Sequence, residues 1–208
     1  MTLPSLRRRF IAACLLGAAI LPLPAAALDI EGISFDDSIT VDGSRLLLNG
    51  VGWRKRGYFK VDVTGLYLGQ KASTIEAVEA MPGPKRLQLV ILQELTGATA
   101  SRYFVADFEA AATKDEFRTL LNEVFLVGQV YSSLPKLKKG DVVAMDILPG
   151  KGLATTINGQ SVMVPGTDSR FIKSDLMGRI FLRMFIGGRT PAELRDNLLG
   201  ISRSMRGG

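Results

Sequence analysis

Apolar and polar residues alternate along much of the first half of this chain, and the alternation predicts β-strands. The predicted strands cover residues 30–35, 38–41, 44–49, 58–68 and 86–95. Asp42-Gly43 between two of them is typical of a tight turn. Gly50-Val51-Gly52 is interpreted as another turn, one that presents Arg54 next to the long strand at 58–68. The nearly continuous apolar run at 86–95 favours a central strand that is covered on both faces.

The second half of the chain has more helical periodicity. Apolar residues recur every three or four positions in the predicted helices, which cover residues 73–81, 99–112, 116–131 and 168–186. Thr190 is predicted to cap a last helix that has Pro191 at its first position. Strands are predicted at 142–148, 153–157 and 161–164, with Asn158-Gly159 as a hairpin turn. The predicted class is α+β, a large antiparallel sheet with helices packed on one face.

Residues 1–27 have the pattern of a secretory signal peptide. Three consecutive arginines precede an apolar run that is broken by prolines, and Ala25-Ala26-Ala27 offers a small-residue cleavage site. The prediction is cleavage after Ala27, a single domain at 28–208, a periplasmic location and no stable membrane span after cleavage. The general secretory route is favoured, although Arg7-Arg8-Arg9-Phe10-Ile11 also fits a twin-arginine signal.

The composition excludes several kinds of chemistry. The chain has 26 basic and 20 acidic residues, a net charge of +6, and removal of the three leader arginines leaves 23 against 20, or +3. That excess is too small to indicate nucleic-acid binding. There is no histidine, and the single cysteine, Cys14, lies in the leader. Zinc sites and Ser-His-Asp catalysis are therefore excluded, and neither a metal nor a cofactor is predicted.

The segment at 46–68 carries the candidate site. A guanidinium such as that of Arg54 donates several hydrogen bonds at once and can anchor an anion or a carbonyl group. Asp62 lies in the middle of the following strand, where it can pair with Arg54 and compete with an anionic ligand. A purely structural ion pair remains an equal alternative. Arg56 and Arg183 can add positive charge, whereas Tyr67 should point to the opposite face of its strand from Asp62 and belong to the core.

The order of several motifs resembles the chalcone isomerase-like family. The matching pieces are LNGVGWR at 48–54, FKVDVTGLYLG at 59–69, PKRLQLVIL at 84–92, KKGDVVAMDILPGKG at 138–152, INGQ at 157–160 and RIFLRMFIGGRTPAELRDNLLG at 179–200. The resemblance spans roughly residues 28–200, and it implies an open-faced β-sandwich with a ligand cleft between sheet and helices. The family includes enzymes that cyclise chalcones, plastid proteins that bind fatty acids, and non-catalytic or haem-binding relatives.

Transfer of the family's site onto this chain retains only the arginine. It falls on Arg54, which in the enzymes polarises the substrate and in the fatty-acid binders holds the carboxylate. The next functional position falls on Asp62, which matches neither type. The enzymes' tyrosine and asparagine fall on Phe117 and Val124, and their polar residue on the late helix falls on Arg183. Chalcone cyclisation needs a hydrogen-bond network that Phe117 and Val124 cannot provide.

The sequence therefore predicts an exported, non-catalytic protein that binds a small amphipathic apolar ligand such as a fatty acid, with Arg54 as the anchor and Asp62, Arg56 and Arg183 around it. One alternative is an isomerase or intramolecular lyase that acts on a carbonyl substrate, with Arg54 as the electrophilic stabiliser and Asp62 as the base. A second alternative is a haem-binding or protein-binding helper, in which methionine or tyrosine would have to ligate the iron. The oligomeric state is left open.

Overall fold

One large antiparallel sheet organises the chain. The computed structural model describes residues 28–30 and 32–201, so the predicted signal peptide lies outside the described residues. The strands are β1 Leu28–Ile30, β2 Ile33–Phe35, β3 Ser38–Val41, β4 Ser44–Arg56, β5 Phe59–Leu68, β6 Lys85–Ile91, β7 Val142–Leu148, β8 Gly152–Ile157, β9 Gln160–Ser161 and β10 Phe171–Ile172. The sheet order is β10-β8-β7-β6-β5-β4-β3, with β9 beside β8 and β1–β2 as a separate hairpin. The strand β6 is central, as its apolar sequence predicted.

Helices pack on one face of this sheet. They are α1 Ile75–Ala80, α2 Gly97–Ala111, α3 Lys114–Thr119, α4 Leu121–Ser133, α5 Asp175–Ile186 and α6 Ala192–Leu198. Polar side chains cap several of them, since Thr74, Thr96, Thr113 and Ser174 each accept a backbone N–H at a helix start. The predicted α+β class, an antiparallel sheet with helices on one face, is confirmed. In the parts of the chain that the structure describes, no helix is both long and apolar enough to cross a membrane.

Alternation along β5 divides the core into two apolar clusters. Leu66 and Leu68 face the helices and belong to the larger cluster. Val63 and Tyr67 point the other way and pack with Phe35 from the β1–β2 hairpin. Phe35 lies directly over Gly65, where a Cβ would come within 2.8 Å of its ring. The prediction that Tyr67 belongs to the core, on the face opposite Asp62, is confirmed.

Three helix predictions need correction. The helix predicted at 116–131 is two helices, because Leu120 leaves helical geometry (φ −104°, ψ 18°) and serves as the end of α3 and the start of α4. The helix predicted at 168–186 begins only at Asp175, after β10 and the Ser174 cap. Thr190 does not cap α6. Its hydroxyl donates to carbonyl groups in the last turn of α5, and Pro191 is the flanking residue of α6.

The most important correction concerns Gly50 and Gly52, which lie inside β4 and form no turn. Both glycines allow α6 to rest directly on the strand. A Cβ at Gly50 would overlap the carbonyl oxygen of Asn197, and a Cβ at Gly52 would come within 3.0 Å of Leu194 Cδ1. The neighbouring Asn49 side chain donates to the Leu198 carbonyl at 2.7 Å. The strand therefore continues past α6 and carries Arg54 and Arg56, two and four residues beyond Gly52, on the helix-covered face.

Candidate functional site

Arg54 and Asp62 are direct cross-strand partners on β4 and β5. Arg54 Nε donates to Asp62 Oδ2 at 2.8 Å, and Arg54 Nη2 lies 2.7 Å from the same oxygen. The other carboxylate oxygen, Oδ1, accepts from the Thr64 hydroxyl at 2.8 Å. Asp62 is 1% exposed, and both of its oxygens are engaged. The predicted pairing of Arg54 with Asp62 is thus observed, and a third residue holds the acid in place.

The remaining nitrogen of the Arg54 guanidinium is less constrained. Nη1 lies 3.8 Å from Asp107 Oδ2, which is beyond hydrogen-bonding distance, and the guanidinium carbon lies 5.3 Å from the centre of the Phe185 ring. Burial alone would lower the pKa of Arg54, but the Asp62 carboxylate more than compensates and the net effect is a raised pKa. Arg54 is therefore a permanent, partly buried cation, 18% exposed, whose Nη1 makes no hydrogen bond to the residues that the structure describes.

An apolar cavity begins at Arg54 and extends between the sheet and helices α2, α4 and α5. Its volume is about 50 Å³. The lining residues are Arg54, Leu89, Ile91, Leu95, Ala100, Tyr103, Phe104, Tyr131, Leu134, Leu137, Val143, Met145, Phe181, Met184 and Phe185. Tyr131 donates its hydroxyl to Met145 Sδ at 3.4 Å. Burial raises the pKa of Tyr131, with Arg54 acting in the opposite direction, so the phenol stays protonated and can donate.

A second, polar cleft lies on the outer side of Arg54. Its volume is about 110 Å³, and its walls come from β4, α2, α5 and the start of α6. Arg54 and Met184 line both this cleft and the apolar cavity. Arg56 pairs with Asp107 through both terminal nitrogens, and its guanidinium lies 4.5 Å from the centre of the Tyr103 ring. Arg54 therefore stands at the junction of an apolar chamber and a charged entrance.

Arg183 lines the outer cleft, but its guanidinium already forms ion pairs with two glutamates. Its Nε donates to Glu79 at 2.7 Å and its Nη1 donates to Glu116 at 2.8 Å. These hydrogen bonds raise the pKa of Arg183. Because Glu79, Glu116 and Arg183 lie on α1, α3 and α5, the cluster ties three helices together at the rim of the site. A role for Arg183 in direct ligand contact would require one of these pairs to open.

The structure brings Arg54, Asp62, Arg56 and Arg183 to one end of the sheet, around the apolar cavity and the outer cleft. Phe117 and Val124, by contrast, line neither space. Phe117 packs against Phe108 with ring centres 6.3 Å apart, and Val124 is buried in the larger apolar cluster.

Three residues at this site were not singled out from the sequence, namely Thr64, Asp107 and Tyr131. The position of Thr64 beside Asp62 could have been predicted from the sequence, because residues two apart on a strand share a face. Asp107 and Tyr131 were not, since their position depends on how α2 and α4 pack on the sheet.

A second arginine–aspartate pair provides an internal reference. Arg86 on β6 and Asp146 on β7 are also direct cross-strand partners. Arg86 Nε donates to Asp146 Oδ1 at 2.6 Å and Nη2 donates to Oδ2 at 2.8 Å, so two nitrogens meet two oxygens. Arg86 is opposite Tyr67 in the sheet and therefore lies on the face away from the helices. Neither the apolar cavity nor the outer cleft touches this pair.

Comparison with known proteins establishes the family. The family model described as chalcone isomerase-like matches residues 27–200, and the chain therefore belongs to the chalcone isomerase-like family. Among solved structures, the crystal structure of a fatty-acid binding protein from Arabidopsis thaliana superposes with a TM-score of 0.65 at 18% identity, covering 84% of this chain and 96% of that one. A search of curated proteins finds no match. At this identity the superposition shows a shared fold.

Proposed function

We propose that this protein binds a small amphipathic anion, such as a fatty acid, without transforming it. The observation that carries the proposal is the position of Arg54, a partly buried cation that lines both an apolar cavity and a polar cleft. An acyl chain would enter the cavity, and its carboxylate would accept from Arg54 Nη1. The fatty-acid binding protein of the same fold supports this assignment.

The proposal requires the cavity to enlarge on binding. Its volume of about 50 Å³ is room for a few water molecules and far too little for an acyl chain. Met145 and Met184 line the cavity, and their unbranched side chains can rearrange at low cost. We expect binding to be accompanied by an outward shift of α2 or α4, because these helices form the wall opposite the sheet.

Displacement of a fluorescent fatty acid tests the proposal. Arg54→Met removes the guanidinium and keeps an apolar side chain of similar reach. A charge-assisted hydrogen bond is worth about 1.5–3 kcal/mol, so the dissociation constant should rise about 10-fold to about 150-fold. Arg86→Met is the matched control, because it removes the other cross-strand arginine on the opposite face, and its affinity should equal that of the wild type. Equal loss in both variants, or no binding by the wild type up to high micromolar concentration, would contradict the assignment.

One observation favours a second candidate function. The Tyr131 hydroxyl and the Arg54 guanidinium line the same apolar cavity, where two donors of this kind can polarise a carbonyl oxygen. An isomerase or intramolecular lyase would use them to stabilise an enolate. Asp62 is poorly suited to be its base, because both carboxylate oxygens already accept hydrogen bonds. Loss of turnover of a carbonyl substrate in Tyr131→Phe, with ligand affinity unchanged, would identify this activity.

Haem is less favoured than an acyl chain, because a rigid flat macrocycle needs a larger enlargement of the 50 Å³ cavity than a flexible chain does. Met145 Sδ, a thioether at the cavity, also already accepts from Tyr131. A Soret band in the purified protein would overturn this conclusion.

The same proposal places the protein in the periplasm after export. Its support is the arginine-rich, apolar and small-residue pattern of residues 1–27. Intact mass of the protein recovered from a periplasmic fraction tests this placement, with a chain that begins after Ala27 as the expected result.

A further inference from the structure

The outer cleft contains more basic side chains than one anionic anchor requires. Five cations line it, namely Arg54, Lys55, Arg56, Arg183 and Arg189. Four of them form ion pairs within the protein, three in the pairs already described and Lys55 with Glu193 at 2.7 Å. Most of the positive charge is therefore neutralised, and a ligand can use only the donors that these pairs leave open.

Arg189 is the cation that the pairs leave out. It lines the outer cleft and is exposed, and its guanidinium forms no hydrogen bond or ion pair with the residues that the structure describes. Arg54 Nη1 is the other open donor, since it makes no hydrogen bond within the described part of the chain. One cleft thus receives donors from two arginines on different walls, one on β4 and one on the link between α5 and α6.

The link between α5 and α6 holds the backbone of Arg189 in a turn. The Thr190 N–H donates to the Gly187 carbonyl at 3.1 Å, which places Gly188 and Arg189 at the corner. An arginine just beyond a helix often donates to the last carbonyl groups of that helix. Here the buried Thr190 hydroxyl donates to two of those carbonyl groups instead. The Arg189 guanidinium is therefore left to the cleft.

The space beside these two arginines suits a head group larger than a carboxylate. The outer cleft has a volume of about 110 Å³, against about 50 Å³ for the apolar cavity. Arg189 also lines an adjoining cleft of about 240 Å³, which shares Ala110, Ala111 and Arg183 with the outer cleft. A carboxylate at Arg54 Nη1 would leave most of this space to solvent, whereas a head group with oxygens in several directions can contact both arginines.

We propose that Arg189 is a second anion contact of this site and selects a single-chain lipid whose head group is a phosphate monoester. This inference rests on the proposed function. One phosphate oxygen accepts from Arg54 Nη1, a second accepts from Arg189, and the single chain enters the apolar cavity. A phosphate monoester suits two arginines because it carries a charge of about −1.5 to −2 at neutral pH and three acceptor oxygens. The planar guanidinium also matches the geometry of phosphate.

Titration calorimetry with two amphiphiles that share a chain length tests this inference. The probes are laurate and monododecyl phosphate, both below their critical micelle concentrations. Arg189→Gln should weaken the binding of monododecyl phosphate about tenfold, a modest loss for a charge-assisted hydrogen bond because Arg189 is exposed. Its affinity for laurate should stay within about twofold of the wild type, which also shows that the variant is folded. Arg54→Met should weaken the binding of both probes.

Arg179→Gln is the matched control. Arg179 is an exposed arginine on α5, but it lines neither the outer cleft nor the adjoining one. Its removal changes the net charge by the same amount as Arg189→Gln and should leave both affinities unchanged. Inorganic phosphate is the second control, because it has the head group without the chain. It should not bind at concentrations at which monododecyl phosphate saturates the protein.

The outcomes separate this inference from the proposed function. An equal loss for both probes in Arg189→Gln, no loss for monododecyl phosphate, or the same loss in Arg179→Gln would overturn the inference. In each of these cases, binding of laurate by the wild type still supports the proposed function. If inorganic phosphate binds as tightly as monododecyl phosphate, the cleft is a site for free phosphate and the lipid class is wrong. If the wild type binds neither amphiphile, the proposed function fails and the inference fails with it.

Discussion

The sheet contains the same type of ion pair twice, on opposite faces, and the two copies differ in how the acid is held and in what surrounds the arginine. Arg86 and Asp146 match two nitrogens to two oxygens, so Arg86 alone engages both oxygens of the acid. Arg54 places two nitrogens on a single oxygen of Asp62, while Thr64 takes the second oxygen. Each arginine uses two of its three guanidinium nitrogens in its pair, but only Arg54 lines the apolar cavity.

This difference teaches that a cross-strand arginine–aspartate pair is not in itself a sign of a ligand site. Residue types and register are the same in both pairs. What distinguishes Arg54 is its surroundings, namely the cavity behind it, the cleft in front of it and the glycines that precede it on β4. Variants of one pair can therefore be judged against the same variants of the other.

Removal of the acid should give the largest effect. Asp62→Ala leaves the partly buried Arg54 cation without its main partner and should lower the free energy of unfolding by about 3 kcal/mol. This is near the lower end for a broken buried pair, because Arg54 is 18% exposed and Asp107 remains 3.8 Å away. Asp146→Ala should cost less, since its side chain is 12% exposed against 1% for Asp62. Urea denaturation measures both. A larger loss in Asp146→Ala would reverse the proposed contrast.

Removal of the Thr64 hydroxyl, the third group that contacts the Asp62 carboxylate, should lower the stability by an intermediate amount. Thr64→Val keeps the shape of a fully buried side chain and deletes the hydroxyl that donates to Asp62 Oδ1. A hydrogen bond to a charged group contributes about 1.5–3 kcal/mol, and the loss of stability should fall in that range. Thr155→Val is the control, because Thr155 is also a buried sheet threonine, 8% exposed, but on β8. Equal losses would mean that Thr64 has no special relation to the Arg54 pair.

The smallest loss of stability should follow from removal of the Glu116 charge, which pairs with Arg183 at the rim of the site. A backbone hydrogen bond from Thr113, and then the Arg183 guanidinium, hold the pKa of Glu116 below its ordinary value of 4.5. A lowered folded-state pKa gives stability that is present above pH 4.5 and lost as the pH falls through the folded-state pKa. Glu116→Gln should therefore cost about 1 kcal/mol at neutral pH and flatten the acid limb of the stability curve.

Thermal unfolding of the wild type and Glu116→Gln from pH 7 to pH 3 measures this effect. Asp115→Asn is the control, because Asp115 lies on the same helix but its pair with Arg118 is exposed. If the melting temperature of Glu116→Gln depends on pH in the same way as that of the wild type, protonation of Glu116 is not coupled to unfolding.

Local patterns were sufficient to predict much of the fold. Asn158-Gly159 was correctly predicted as a hairpin turn and Asp42-Gly43 as a tight turn, and all four residues have positive φ. Alternation along β5 correctly separated Asp62 from Tyr67. Gly50-Val51-Gly52 was misinterpreted because glycine marks both turns and close backbone contacts, and only the packing of α6 on β4 distinguishes the two.

Only the part of the site that lies on the neighbouring strands β4 and β5 could be predicted from the sequence. Arg54 and Asp62 are eight residues apart and meet through hairpin register, which a sequence can indicate. Tyr131 lines the same cavity as Arg54 through the packing of α4 on the sheet, and Arg56 pairs with Asp107 at a separation of 51 residues. No periodicity encodes contacts of that kind. The apolar cavity itself is a property of how helices α2, α4 and α5 fill the space above the sheet.

The contact between α6 and β4 also has a consequence for the order in which the molecule is made. Asn49 and its partner carbonyl at Leu198 are 149 residues apart. Strand β4, which carries Arg54, is therefore synthesised long before α6, the helix that packs on it. Pro191, Glu193 and Leu194 complete the wall of the outer cleft. A chain that ends before α6 therefore has Arg54 but an incomplete outer cleft, whatever compartment it folds in.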